Sequence, residues 1–109
     1  MSWNIEYRPE AVDDLKKLDG SQRIPVLKAI EKVSSNPLPD YEGGYGKPLG
    51  NKNGTNLSGF LKIKLKKYGI RVVYDLVREK QNMRIIIIGI RSDNEVYYLA
   101  EKRLKSDNS

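Results

Sequence analysis

Lys62, Lys64 and Lys66 stand at alternate positions of the run Phe60-Leu61-Lys62-Ile63-Lys64-Leu65-Lys66, and Arg71 follows after Lys67-Tyr68-Gly69-Ile70. No acidic residue lies between Phe60 and Tyr74. Cations repeating at period two line one face of a strand. Such a face suits a phosphodiester backbone, with Tyr68, Tyr97 and Tyr98 as candidates to stack bases. Like charges at this spacing also disfavour protonation of the middle amine. Lys64, flanked by Lys62 and Lys66, is therefore the lysine best placed to be partly neutral and to act as a general base. A base of this kind is modest, so catalysis on such a face leans on positioning and charge stabilisation. The same pattern has a plainer reading. Alternating lysines on an exposed strand are ordinarily solvated, and on a sheet edge they discourage edge-to-edge association.

The 109 residues include no His and no Cys. Thiol nucleophiles, disulfides, thiolate zinc sites, Ser–His pairs and imidazole bases are excluded, so proton transfer falls to Lys, Arg, Tyr, Asp or Glu. Residues 1–59 carry 8 basic and 8 acidic side chains, against 12 and 6 in residues 60–109. The whole net charge of +6 thus belongs to the second half, where a polyanionic partner is expected to dock. The length suits a single domain, 1–109, with one hydrophobic core. The Met1-Ser2-Trp3-Asn4 start lacks the features of a signal peptide. The longest aliphatic run, Ile85–Ile88, is far shorter than the ~20 residues of a membrane span. A cytoplasmic protein without a membrane partner is the expectation.

The elements that would position these cations follow from periodicity. Trp3–Tyr7 alternates as a short strand. Pro9 opens a helix to about Leu18, with Val12, Leu15 and Leu18 inward. Asp19-Gly20 breaks it, and Ser21 is the expected cap of a second helix burying Ile24, Leu27, Ile30 and Val33 before Asn36-Pro37 ends it. Leu38–Gly59, with six of the nine glycines, reads as an irregular loop with room for one extended piece. The remainder is a strand meander. Phe60–Lys66 turns at Tyr68-Gly69 into Ile70–Val77, and burying the apolar face of both strands sets Leu65 opposite Ile70, Ile63 opposite Val72 and Lys64 opposite Arg71. Ile85–Ile90 is apolar on both sides and so central. Ser92-Asp93-Asn94-Glu95 fits a capping box opening a last helix to about Leu104. The fold class is α+β, in the order β-α-α-β-β-β-α: a helical hairpin on a mainly antiparallel sheet, with a C-terminal helix. Asp13-Asp14, Lys16-Lys17 and Lys102-Arg103 read as helix-surface charges, and Tyr74 as core.

Phe60–Lys66, Gly69-Ile70-Arg71-Val72-Val73-Tyr74, Gly89-Ile90-Arg91 and Glu95-Val96-Tyr97 together resemble the RelE-type toxins of bacterial toxin–antitoxin systems. The resemblance spans nearly the whole chain, because hairpin and meander come in the family's order. The segment Lys62–Tyr74 is shared with the wider RelE/ParE superfamily. The set Lys62, Lys64, Arg71, Arg91 and Tyr97 corresponds to its RNA-cleaving branch, the mRNA interferases. Two departures stand out: the glycine-rich Gly43–Gly59 stretch is longer than the family's usual link, and the Ser92-Asp93-Asn94 turn is more acidic.

The resemblance implies an endoribonuclease without metal or cofactor, cutting mRNA in the A site of the 70S ribosome by 2′-hydroxyl attack and so inhibiting translation. It implies that Lys62 holds the scissile phosphate, Lys64 is general base and Arg71 stabilises the transition state. Arg91 would serve the leaving 5′-oxygen, and Tyr97 would stack on the RNA. Lys66, Lys67 and Tyr68 are the further RNA-binding candidates. The implied partners are a cognate antitoxin, acidic and amphipathic or extended, and operator DNA only through the toxin–antitoxin complex. Two alternatives remain open: a ParE-like gyrase poison, and a non-catalytic nucleic-acid-binding or co-repressor module. On pattern alone Arg91 equally reads as a strand end and Tyr97 as helix packing.

Overall fold

Alternation and capping generate the elements in the computed structural model, which describes residues 2–49, 57–90 and 93–107. They are β1 (Asn4–Tyr7), α1 (Pro9–Lys17), α2 (Gly20–Ser34), β2 (Lys47–Pro48), β3 (Leu61–Leu65), β4 (Ile70–Val77), β5 (Asn82–Gly89) and α3 (Asp93–Asp107). The strands form one mixed sheet in the order β1-β5-β4-β3-β2. Among the described strands, only β1 against β5 is parallel. Leu65 lies opposite Ile70, Ile63 opposite Val72 and Lys64 opposite Arg71, the register that burial of the apolar face demands. The two strands are joined by a single 3-10 turn, Lys66–Tyr68, closed by Gly69 at φ 67°. A side chain at this left-handed position would be strained. Lys66 therefore belongs to the turn, not to the strand expected to reach it.

The isoleucine run occupies the sheet centre, and a bulge divides it. Val73 faces Ile87 but Tyr74 faces Ile85, so Ile86 is the extra residue. The bulge turns Ile86 and Ile87 to one side and leaves Ile85 and Ile88 on the other. Two cores result where one was expected. Ile70, Val72, Tyr74, Met83 and Ile85 pack beneath the helical hairpin, and Val73, Ile86 and Ile87 pack beneath Val96, Tyr97 and Ala100 of α3.

The hairpin differs from expectation in its caps and its inner face. Asp19, not Ser21, caps α2: its carboxylate accepts from the Gln22 amide at 3.1 Å, and the Gln22 side chain accepts from the Asp19 amide. Val26, Ile30 and Val33 point inward, while Ile24 is 57% and Leu27 38% exposed. The cause is helical pitch. At about 100° per residue, a row spaced by threes winds around the helix, and Ile24 ends about 180° from Val33. Val26, Ile30 and Val33 stay within about 60° of one another. On α1, Ala11 and Leu18 are buried and Leu15 is partly so.

Two residues of the glycine-rich segment form β2, pairing Lys47 with Lys62 and Pro48 with Leu61. Upstream, Gly46 is pressed beneath the Tyr74 hydroxyl, which donates to the Pro37 carbonyl at 2.8 Å. A Cβ on Gly46 would run into that hydroxyl and into Leu61. Gly46→Ala is expected to cost about 1–3 kcal/mol through overpacking, read as a lower urea midpoint at unchanged slope.

Candidate nucleic-acid interface and active site

Antiparallel pairing with alternation brings four of the expected site residues to the α3 side of the sheet. Lys62 is the register partner of Val73, whose side chain belongs to the core beneath α3. Period two then places Lys64 on the same face, with Arg71 directly across from it. From α3, Tyr97 slides under the sheet edge, and the Lys62 ammonium lies 5.8 Å from its ring centroid. This is within the range of a cation–π contact. Arg71 is half-buried and donates to the Gly69 carbonyl at 3.1 Å, which holds its guanidinium near the β3–β4 turn.

Electrostatics follow this placement. The Lys64 amine is held below its ordinary value, first by loss of hydration and then by Arg71, Lys62, Lys66 and Lys47. The sequence foresaw Lys62, Lys66 and Arg71 but not Lys47. Lys47 belongs to the neutral half of the chain and arrives only because β2 pairs it with Lys62. Burial pushes the Tyr97 phenol up, opposed by Arg71. Arg71 therefore acts on both Lys64 and Tyr97, and the four side chains form one electrostatic unit.

Tyr97 is not the open platform that RNA stacking calls for. It is 7% exposed, and its hydroxyl has no hydrogen-bond partner among the described residues. It forms a floor under Lys62, and Tyr98, 58% exposed, is the outward-facing neighbour. Lys66, Lys67 and Tyr68 all fall in the 3-10 turn. The Lys67 ammonium sits 5.7 Å from the Tyr68 ring, whose side chain is partly committed to the hairpin-side core. Arg91 and Ser92, the latter expected from the sequence to open a capping box, lie outside the described residues.

Besides its apolar packing, α3, and with it Tyr97, is held by a contact between residues read from the sequence as surface charges. Arg103 forks onto Asp14 of α1, at 2.7 and 3.0 Å, and also donates to the Ile86 carbonyl at 3.1 Å. Asp14 in turn accepts from the Ile88 amide at 3.0 Å. Both side chains are largely buried, 12% and 20% exposed. The pair ties α1, β5 and α3 together beside the bulge. Its members are 89 positions apart, and no local pattern marks them. On the neighbouring strands Arg84 forks onto the buried Asp75, its register partner.

No protein-family model matches the chain. The chain is similar to the mRNA interferase toxin RelE of Escherichia coli K12, at 28% identity over 104 residues, covering 95% of this chain and 99% of that protein. Its fold is that of an E. coli RelE double mutant solved in the free state, with a TM-score of 0.74, 26% identity, and coverage of 95% and 99%. A RelE mutant solved with a peptide of its antitoxin RelB matches with a TM-score of 0.68 at 25% identity, covering 92% of this chain and 95% of that one.

Proposed function

We propose that this chain, similar over nearly its whole length to RelE-type toxins and folded as they are, is a ribosome-dependent mRNA endoribonuclease. The observation that carries this reading is the juxtaposition on one sheet face of Lys64 with Arg71, beside Lys62 over Tyr97. In the reaction, the 2′-oxygen attacks the adjacent phosphorus, forming the 2′-O–P bond and breaking the P–O5′ bond. Lys64, in its neutral form, takes the 2′-hydroxyl proton. Lys62 holds a non-bridging oxygen, and Arg71 stabilises the charge that builds on the phosphorane-like transition state. The resemblance to RelE-type toxins assigns the leaving 5′-oxygen to Arg91: its guanidinium stabilises the developing charge while solvent supplies the proton. Tyr97 sets the position of Lys62 from below, and Lys66, Lys67 and Tyr68 contact RNA on the turn side.

An internal nucleophile explains the requirement for RNA, and a cationic face explains how cleavage proceeds without His. The partner is a cognate antitoxin, whose acidic segment competes with RNA for these cations in the cytoplasm. Operator DNA is bound only by the pair. The E. coli RelE solved with an antitoxin peptide supports this assignment of partner.

Mapping mRNA ends on translating 70S ribosomes tests the reading, with wild type, Lys64→Ala and Arg91→Ala compared. Discrete A-site cuts by the wild type alone are expected. Intact mRNA with inhibited gyrase would replace the reading with a ParE-like poison, and intact mRNA without toxicity with a binding or co-repressor module.

The lowered Lys64 amine also fixes the sign of the pH dependence. The neutral base is the active form, so saturated single-turnover cleavage rises with pH through the Lys64 titration, below the range of an ordinary lysine. Removing a neighbouring cation makes protonation easier. Lys66→Gln is therefore expected to move this rising limb to higher pH and to slow cleavage at neutral pH. A limb that stays in place would show that Lys64 is not the titrating base.

A further inference from the structure

Beyond β2 the sheet edge opens into a groove of about 260 Å3 between β3 and α2. β2 pairs with β3 only at Leu61 and Lys62, so among the described residues no strand covers Ile63–Leu65 on that side. Lys62, Lys64 and Lys66 border the groove on the sheet side, Lys47 joins them from β2, and Lys32 and Tyr45 border it opposite. Among the described residues, no carboxylate lines it.

We propose that this groove is a single-stranded RNA subsite, in which Lys32 and Lys47 bind phosphates of the mRNA flanking the scissile bond and Tyr45 stacks a base. The subsite rests on the nuclease reading, since it begins at Lys62 and Lys64 and continues away from them. Three observations support it. The groove meets the candidate active site along the β3 edge, where Lys62 and Lys64 belong to both. Lys62, Lys66 and Lys47 all act on the Lys64 amine, so these four ammonium groups form a connected field, which Lys32 faces from the opposite side of the groove. Tyr45 is 52% exposed yet held, by its amide donating to the Asn36 carbonyl at 3.0 Å and by the Lys32 ammonium 5.5 Å from its ring. A cation against an exposed ring, in a groove of lysines, fits a stacked base with phosphates on either side. Lys32, Tyr45 and Lys47 all come from the half of the chain without net charge, which is why composition did not point to them.

The test measures binding of a 2′-O-methyl single-stranded oligoribonucleotide, which cannot be cut, across a salt series. Each phosphate contact contributes about 0.7 to the slope of log K against log salt on single strands. Lys32→Ala/Lys47→Ala is expected to flatten that slope by about 1.4, whereas the charge-matched Lys16→Ala/Lys80→Ala is expected to leave it unchanged. Tyr45→Ala is expected to weaken binding about 5- to 100-fold, with Tyr45→Phe close to wild type. An RNA hairpin with the same number of phosphates is expected to show none of these dependences, which separates a flanking mRNA strand from structured ribosomal RNA. An unchanged slope, or an equal loss in the control pair, would overturn the proposal. So would intact RNA binding with lost binding of a poly-glutamate peptide, which would make the groove a protein-docking surface. Because the oligonucleotide lacks a reactive 2′-hydroxyl, failure of this subsite and failure of the nuclease reading are read separately.

Discussion

Lys64→Ala is expected to slow cleavage of ribosome-bound mRNA by about 10²–10⁴, the range of a general base removed from its proton. The loss should fall on the chemical step, because Lys62 and Arg71 remain to hold the phosphate. Arg71→Ala is expected to cost about 10²–10³, the effect of deleting one donor to developing charge. The two are not expected to add. Lys64 and Arg71 are register partners and Arg71 lowers the Lys64 amine, so its removal also makes the base easier to protonate. The double variant should therefore be much less impaired than the product of the single losses. Single-turnover rates for the four proteins measure this coupling. Strict multiplicativity would mean that the two side chains act independently.

The largest expected effect on stability lies away from the cationic face, at Asp14. Asp14→Ala removes the carboxylate that Arg103 forks onto and the acceptor of the Ile88 amide. Both charges are largely sequestered, so the loss should be that of breaking a buried pair, about 3–5 kcal/mol. That is a large share of the ~5–15 kcal/mol holding a domain together. Replacing both partners by apolar residues, Asp14→Leu/Arg103→Met, should cost less than Asp14→Ala, because no buried charge is left behind. Urea unfolding of the three proteins checks the order. Equal stabilities for wild type and Asp14→Ala would show that the fork carries no load, and that α3 is held by its other contacts, among them Val96, Tyr97 and Ala100.

The meander was legible because period two has only two phases. Once Leu61, Ile63 and Leu65 must be buried, Lys64 has to face Arg71, and the core of the candidate site follows. The α2 face was misread because a row of apolar residues three apart looks periodic on paper and winds around the helix in space. The isoleucine run marked the central strand, but only pairing against β4 reveals the bulge that splits it between two cores. Long-range partners were the hardest. Lys47 becomes a neighbour of Lys62 through a two-residue strand in an irregular segment, and Asp14 meets Arg103 across almost the whole chain. In each case the side chain's role is set by what tertiary structure brings to it, and local pattern carries no record of that.

The two levels also bear on each other. Arg103 anchors α3, α3 carries Tyr97, and Tyr97 supports Lys62. A destabilised α1–α3 contact should therefore loosen the phosphate-binding lysine before it disturbs the Lys64–Arg71 pair, which belongs to the sheet itself.

The central claim is that a cationic sheet face drives attack by the RNA's own 2′-hydroxyl, and the termini of the cut mRNA test it most directly. Translating ribosomes incubated with the protein should yield upstream fragments ending in a 2′,3′-cyclic phosphate and downstream fragments beginning with a 5′-hydroxyl, and Lys64→Ala should yield neither at a comparable rate. Fragments ending in a 3′-hydroxyl with a 5′-phosphate downstream, or mRNA left intact by the wild type, would contradict it.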